Sequence, residues 1–332
     1  MMGFAALYPS YALSVVPGLA PRDAIAVTLR RQPHPPSARR CADERHVIAA
    51  PFIVAERFRT VAPRYDVVLC DIWGVVHNGV TAFGEACDAL VRFRRDGGTV
   101  ILVTNAPRPS EWVARQLDRL HVPADAYDGV ASSGDVTRSE VAARGGAVFH
   151  IGPERDISIF HGLDLRFVAV EMADYVVCSG LFDDTTETPD DYRAVIETMR
   201  RRELFMLCAN PDLVVRRGDT LIYCAGSIAD LYRSAGGDVL YAGKPHRPIY
   251  HAALAAAAAA RGVPALPSRT LAIGDSLRTD IAGAAAMGID GMFVIGGIHS
   301  EELVGAERTG ALAGMFAAAG ITPKAVMERL VW

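Results

Sequence analysis

The chain has 332 residues, 51% of them hydrophobic and 22% charged, which is enough apolar material for a large core and excludes a disordered or collagen-like polymer. The 34 basic residues against 38 acidic ones give a net charge of −4, so the basic surface expected of a nucleic-acid binder is missing. All but two of the basic residues are Arg; the exceptions are Lys244 and Lys324.

Residues 1–42 read as a disordered extension, with Pro33, Pro35 and Pro36 close together and no repeat, alternation or cap. From residue 66 onward, short apolar runs alternate with helical stretches. Strands are predicted at 66–70, 99–103, 238–241 and 269–273, each without internal polar alternation, as in parallel strands covered on both faces. Helices are predicted at 84–95, 110–120, 248–261 and 279–287. The pattern is α/β, a Rossmann-like doubly wound parallel sheet.

Asn105 and Lys244 lie too far apart for one strand–helix–strand unit, which takes about 30 residues. A second domain is therefore expected between them, an α+β cap with strands near 147–151, 166–170, 175–178, 204–208 and 221–224 and helices near 189–202 and 227–235. The polar run before Pro189 reads as a loop leading into a capped helix. The expected division is a core of residues 43–133 and 242–332 and a cap of residues 134–241.

The six cysteines are scattered without a Cys-x-x-Cys pair, which favours buried, reduced thiols over a zinc site or a disulfide framework. No uncharged apolar run reaches the ~18 to 20 residues that cross a bilayer, so a soluble, cytoplasmic protein is expected.

Each of the four predicted strands is followed by polar residues: Asp71, Thr104 and Asn105, Lys244, and Asp275. In open parallel sheets the ligand site lies outside the carboxyl ends of the strands, where these residues would converge. Singly, each has an ordinary reading as a turn or cap residue. Together, two carboxylates suit a hard divalent cation such as Mg²⁺, and Thr104, Asn105 and Lys244 suit an anionic phosphate. In a chain that nearly excludes Lys, finding one directly after a strand favours a role, because an ammonium is a compact point charge that a planar guanidinium does not replace.

At these stations the sequence resembles the haloacid dehalogenase superfamily of phosphohydrolases, in its NagD-like branch (subfamily IIA). The resemblance rests on Asp71-Ile-Trp-Gly-Val75, Thr104-Asn105, Gly243-Lys244-Pro245 and Gly274-Asp275-Ser-Leu-Arg-Thr-Asp280. Asn210-Pro211-Asp212 and Gly226-Ser227-Ile228 resemble the same branch in the inserted segment. It implies a phosphoaspartyl intermediate on Asp71, with Asp71, the backbone carbonyl of Trp73 and Asp275 as Mg²⁺ ligands and Asp280 supporting them. Thr104, Asn105 and Lys244 would hold the phosphoryl group, and Asn210 and Asp212 would reach the substrate from the cap.

Trp73 stands where such phosphatases usually carry a second Asp that serves as general acid and base. Loss of that group would slow turnover of alkyl phosphates by ~10²- to 10⁴-fold. His77 or Asp212 could substitute, although His77 also reads as a loop histidine facing water and Asp212 as a turn residue. The expected activity is Mg²⁺-dependent hydrolysis of a small phosphorylated metabolite, with a sugar phosphate as one candidate. The alternative is a weakly active or non-catalytic phospholigand-binding protein. Neither a nucleic acid nor a membrane is expected as a partner, and a homodimer is left open.

Overall fold

The computed structural model describes residues 52–217, 220–296 and 308–332, so the extension expected at residues 1–42 lies outside the described residues. In chain order the polypeptide forms β1 (Ile53–Val54), β2 (Val67–Asp71), α1 (Gly84–Arg95), β3 (Thr99–Thr104), α2 (Ser110–Arg119), β4 (Gly129–Ser132) and α3 (Ser133–Arg144). There follow β5 (Ala147–Ile151), β6 (Arg166–Phe167), β7 (Tyr175–Cys178), α4 (Arg193–Arg201), β8 (Phe205–Cys208), β9 (Val214–Arg217), β10 (Thr220–Tyr223), α5 (Ala225–Ser234) and β11 (Val239–Tyr241). The last elements are α6 (Arg247–Arg261), β12 (Thr270–Gly274), α7 (Ala282–Ala286), β13 (Asp290–Val294), α8 (Arg308–Ala319) and β14 (Ala325–Met327).

Seven strands make one parallel sheet in the order β1-β14-β13-β12-β2-β3-β4. Its central strands are apolar between their ends because both faces are covered. Val68, Cys70, Val100 and Leu102 pack with Leu90 and Phe93 of α1 and Leu117 of α2. The alternate residues Val67, Leu69, Ile101 and Val103 pack with Ile249, Ala253 and Ala257 of α6. The small residues of α6 fill that face with little side-chain volume.

The inserted segment builds a second sheet in the order β11-β8-β7-β5-β6, parallel throughout. It is more regular than the α+β mixture expected: one face packs on α4 and α5 and the other on α3 and the 3-10 turn Glu154–Phe160. The antiparallel hairpin β9–β10 stands apart as its own two-stranded sheet.

The strand at 238–241, grouped by its apolar run with the rim-forming strands and left by the expected division in the cap segment, is β11, which pairs with β8 at the edge of the second sheet. Lys244 instead lies in the connection that returns from that sheet to α6. An apolar run of three or four residues after Gly236 and Gly237 suits the edge of either sheet, and periodicity does not tell which sheet a strand joins. The order of the core sheet nevertheless keeps β12, β2 and β3 side by side, so Asp275, Asp71 and Thr104 emerge at neighbouring carboxyl ends.

Candidate active site

Lys244 is the hub of the rim. Its Nζ donates to Asp71 Oδ1 at 2.6 Å, to Asp280 Oδ1 at 2.7 Å and to the carbonyl of Val103 at 3.2 Å. All three residues around the ammonium pairings are buried, which makes these bonds short and charge-assisted. Carboxylate oxygens of Asp71, Asp275 and Asp280 lie within 4.8 Å of one another. Burial pushes the Asp71 carboxyl up, Asp280 and Asp275 add to the effect, and Lys244 opposes it.

Three carboxylates gathered around one ammonium leave an excess of negative charge in a buried place. An all-oxygen donor set with that excess fits a hard divalent cation. Two glycines make the gathering possible. Gly74 has φ +81°, and a Cβ there would lie 2.1 Å from Asp275 Oδ2. A Cβ on Gly274 would lie 2.1 Å from Asp280 Cγ, so only Gly lets Asp280 fold back beneath the strand end.

Asp280 is held from the other side by the amide of Ser276, 3.2 Å from Oδ2. Ser276 also caps the π-helical turn Leu277–Ile281, its Oγ accepting from the Thr279 amide at 3.3 Å. The ordinary cap reading of this motif thus holds, and the same turn sets Asp280 against Lys244. Tyr250 on α6, a residue the sequence reading missed, donates from its hydroxyl to the Asp280 carbonyl at 3.1 Å. An apolar helical position offers no sequence signal for that contact.

The Asn105 side chain departs from its expected role as a phosphate donor. Its Nδ2 donates to Asp212 Oδ1 at 2.9 Å and to the Lys244 carbonyl at 3.1 Å, and its Oδ1 accepts from the Lys244 amide at 2.7 Å. Both amide protons are therefore committed, and the side chain acts as a strut that fixes the Lys244 backbone and ties the core to the cap. Asn210 Oδ1 accepts from the Asp212 amide at 3.1 Å, which shapes the turn that presents Asp212 to Asn105. Burial pushes the Asp212 carboxyl up, against the pull of Asn105 and Lys244. The Thr104 hydroxyl accepts from the Ala106 amide at 3.1 Å and the residue lines the cleft above the rim.

Trp73 is 38% exposed, with its ring over Gly79 and 5.4 Å, edge to face, from the His77 ring. His77 corrects the expectation of a water-facing histidine, being only 3% exposed. Its Nδ1 accepts from the Gly79 amide at 2.9 Å, which shapes the loop, and burial lowers its pKa, favouring the neutral ring. Above the rim opens a cleft of about 390 Å³ lined by Trp73, Thr104 and Asn210, with residues of the hairpin and of the turns beside the second sheet.

The comparisons with known proteins agree with this geometry. The haloacid dehalogenase-like hydrolase family matches residues 68–166, and a second HAD-hydrolase-like family matches residues 241–322. A hydrolase of the haloacid dehalogenase-like family from Brucella suis 1330 is 46% identical, with a TM-score of 0.75 over 84% of this chain and 100% of that one. D-glycerol 3-phosphate phosphatase of Mycobacterium tuberculosis is 30% identical over 73% of this chain, and the chain spans 66% of that protein's length. The 5'-nucleotidase YutF of Bacillus subtilis is 27% identical over 72% of this chain and 90% of its own. With family matches at both ends of the described fold and a relative of solved structure that is 46% identical and covered over its whole length, the chain belongs to the haloacid dehalogenase-like hydrolases.

Proposed function

We propose that the protein is a cytoplasmic Mg²⁺-dependent phosphatase of the NagD-like branch, acting on a small phosphorylated metabolite through a phosphoaspartyl intermediate on Asp71. The observation that carries the reading is the buried triad of Asp71, Lys244 and Asp280 beside Asp275 at adjoining strand ends. Asp71, the Trp73 carbonyl and Asp275 would hold the ion, which when bound would offset charge on the phosphoryl oxygens. Lys244, beside Asp71, offsets the charge of the phosphoryl group, the Thr104 hydroxyl binds it, and Asp71 attacks phosphorus as the substrate alcohol departs. Water then cleaves the acyl phosphate, releasing inorganic phosphate and restoring the carboxylate. Residues 134–241 serve as the cap. Buried thiols without a disulfide among the described residues support the reducing compartment.

Proton transfer is assigned to Asp212. Burial favours its protonated form, and it lies near enough to Lys244 and Asp280 to feel their charges. The decisive experiment is hydrolysis of p-nitrophenyl phosphate by the purified protein with and without Mg²⁺. Metal-dependent turnover that disappears in Asp71→Asn is the expected result. No metal-dependent hydrolysis across a broad panel of phosphometabolites would sink the reading.

Trp73 at the customary acid/base position favours a second reading, a phospholigand-binding protein with little turnover. Calorimetric titration separates the two, since that reading requires tight binding without hydrolysis. Trp73→Asp adds a further probe: a faster enzyme means that a proton-transfer group was missing, and an unchanged rate means that another residue already supplies it.

A further inference from the structure

One buried carboxylate has no part in the chemistry above. Asp156 lies in the 3-10 turn Glu154–Phe160 beside the second sheet, is 2% exposed, and lines the same cleft as Trp73 and Thr104. Its Oδ1 is buried without a hydrogen-bond partner. Arg108, on the loop between β3 and α2, makes only a long ion pair with that oxygen, its Nε at 3.8 Å and too far for a hydrogen bond. Native interiors rarely leave a buried acceptor unpaired, and an orphan on the wall of a cleft points to a ligand that completes it.

The surroundings of Asp156 are built to hold it. Ser179, whose hydroxyl lowers the Asp156 pKa through a hydrogen bond, also pairs with His150 Nε2 at 2.8 Å. Gly152 makes that pairing possible, because a Cβ there would lie 2.0 Å from Ser179 Oγ and 2.7 Å from His150 Nε2. Arg155 pairs with Asp184 on the same wall.

The chemistry of the wall selects among ligand groups. Whatever completes Asp156 Oδ1 must donate a hydrogen bond. A ligand ammonium would donate but would meet the guanidinium groups of Arg108 and Arg155. A second anionic group would suit the arginines but would meet Asp156 and Asp184. A hydroxyl is neutral, donates to Oδ1 and accepts from Arg108.

We propose that Asp156 is a substrate-recognition residue that accepts a hydrogen bond from a hydroxyl of a phosphorylated polyol or sugar, with Arg108 donating to the same hydroxyl. The phosphate end of that ligand rests on the phosphatase reading above. The partly exposed ring of Trp73 lines the same cleft and suits the carbon skeleton.

The test compares wild type, Asp156→Asn and Asp156→Ala on glycerol 3-phosphate, ribose 5-phosphate and glucose 6-phosphate against p-nitrophenyl phosphate, which has no hydroxyl to offer. For the preferred hydroxylated ester, kcat/KM relative to p-nitrophenyl phosphate is expected to fall about 10- to 100-fold in Asp156→Ala and less in Asp156→Asn, as for loss of a hydrogen bond to a charged group. An equal loss on all substrates, or no loss, overturns the proposal in favour of a purely structural carboxylate. Wild type that hydrolyses p-nitrophenyl phosphate but neither turns over nor binds any of the three esters overturns the polyol class while leaving the phosphatase reading intact. If wild type hydrolyses nothing, the phosphatase reading fails. Calorimetry of the same three esters, with inorganic phosphate as the reference, then decides the subsite: weaker ester binding in Asp156→Ala with phosphate binding retained supports it, and equal binding overturns it.

Discussion

A Cβ at position 74 would occupy the space that Asp275 Oδ2 fills, which makes this glycine a condition for the carboxylate cluster. Gly74→Ala is expected to weaken Mg²⁺ affinity and activity by about 10- to 100-fold, as for other changes behind a metal ligand. Its positive φ adds backbone strain of about 1–2 kcal/mol for any side chain. Metal titration of activity, together with a thermal melt, separates the two effects. Asp212 gives a prediction of another kind. Asp212→Asn keeps the bond to Asn105 but carries no transferable proton, so kcat on an alkyl phosphate is expected to fall about 10²-fold or more. Turnover of p-nitrophenyl phosphate should fall much less, since its leaving group needs no protonation. Equal losses on the two substrates would count against Asp212 as the acid.

The elements around the site show how much local pattern can carry. The helix boundaries of α1 match the sequence expectation, because its apolar residues fall on one face and Gly97 and Gly98 stop it. The predicted capped start near Pro189 is present as a capping box: Thr188 and Asp191 exchange side-chain and backbone bonds at the entrance to α4. Thr188→Ala should cost about 1 kcal/mol of stability in a denaturant titration. Activity per folded molecule should be unchanged, because this turn touches neither the rim nor the cleft. Other elements had weaker signals. The short strands β4, β13 and β14 were not anticipated; Gly129 and Gly291 weaken the apolar pattern of the first two, and β14 is three residues long. Their places come from parallel neighbours in the sheet.

On the scale of the whole molecule, the cap and core meet through polar contacts. Asn105 bonds Asp212, the Ser133 hydroxyl donates to the Ala209 carbonyl, and Arg108 faces Asp156. The last contact predicts a pH dependence. Burial holds the Asp156 carboxyl at about 6, above its ordinary 3.8, although Arg155, Arg108 and Ser179 pull it down and Asp184 adds to the rise. The folded chain therefore binds this proton more tightly than the unfolded one. The stability contributed by this group is full below about pH 4 and is lost as pH rises through about 6. Asp156→Asn removes the titration, so its melting temperature should match or exceed that of wild type at pH 7. Its advantage should shrink as pH falls toward 4. A variant less stable than wild type at pH 7 would show that the arginines outweigh the cost of burial. No helix among the described residues is long and apolar enough to cross a membrane.

By itself the sequence determined the alternation of apolar runs and helices, and with it a parallel sheet that gathers residues at one rim. It also singled out Asp71, Lys244, Asp275 and Asp280 as candidates for that rim, from their charge after apolar runs and from Lys244 being one of two lysines, and the folded chain gathers these four. Only the tertiary structure decided that β11 joins the second sheet, that Asn105 serves as a strut and that His77 is buried. Only it decided, too, that Asp156, 85 positions after Asp71 in the numbering, shares the cleft above the rim. The physical reason is range: periodicity and capping act within a few residues, whereas strand partnership, burial and the pairing of charges depend on groups that only the folded chain brings together.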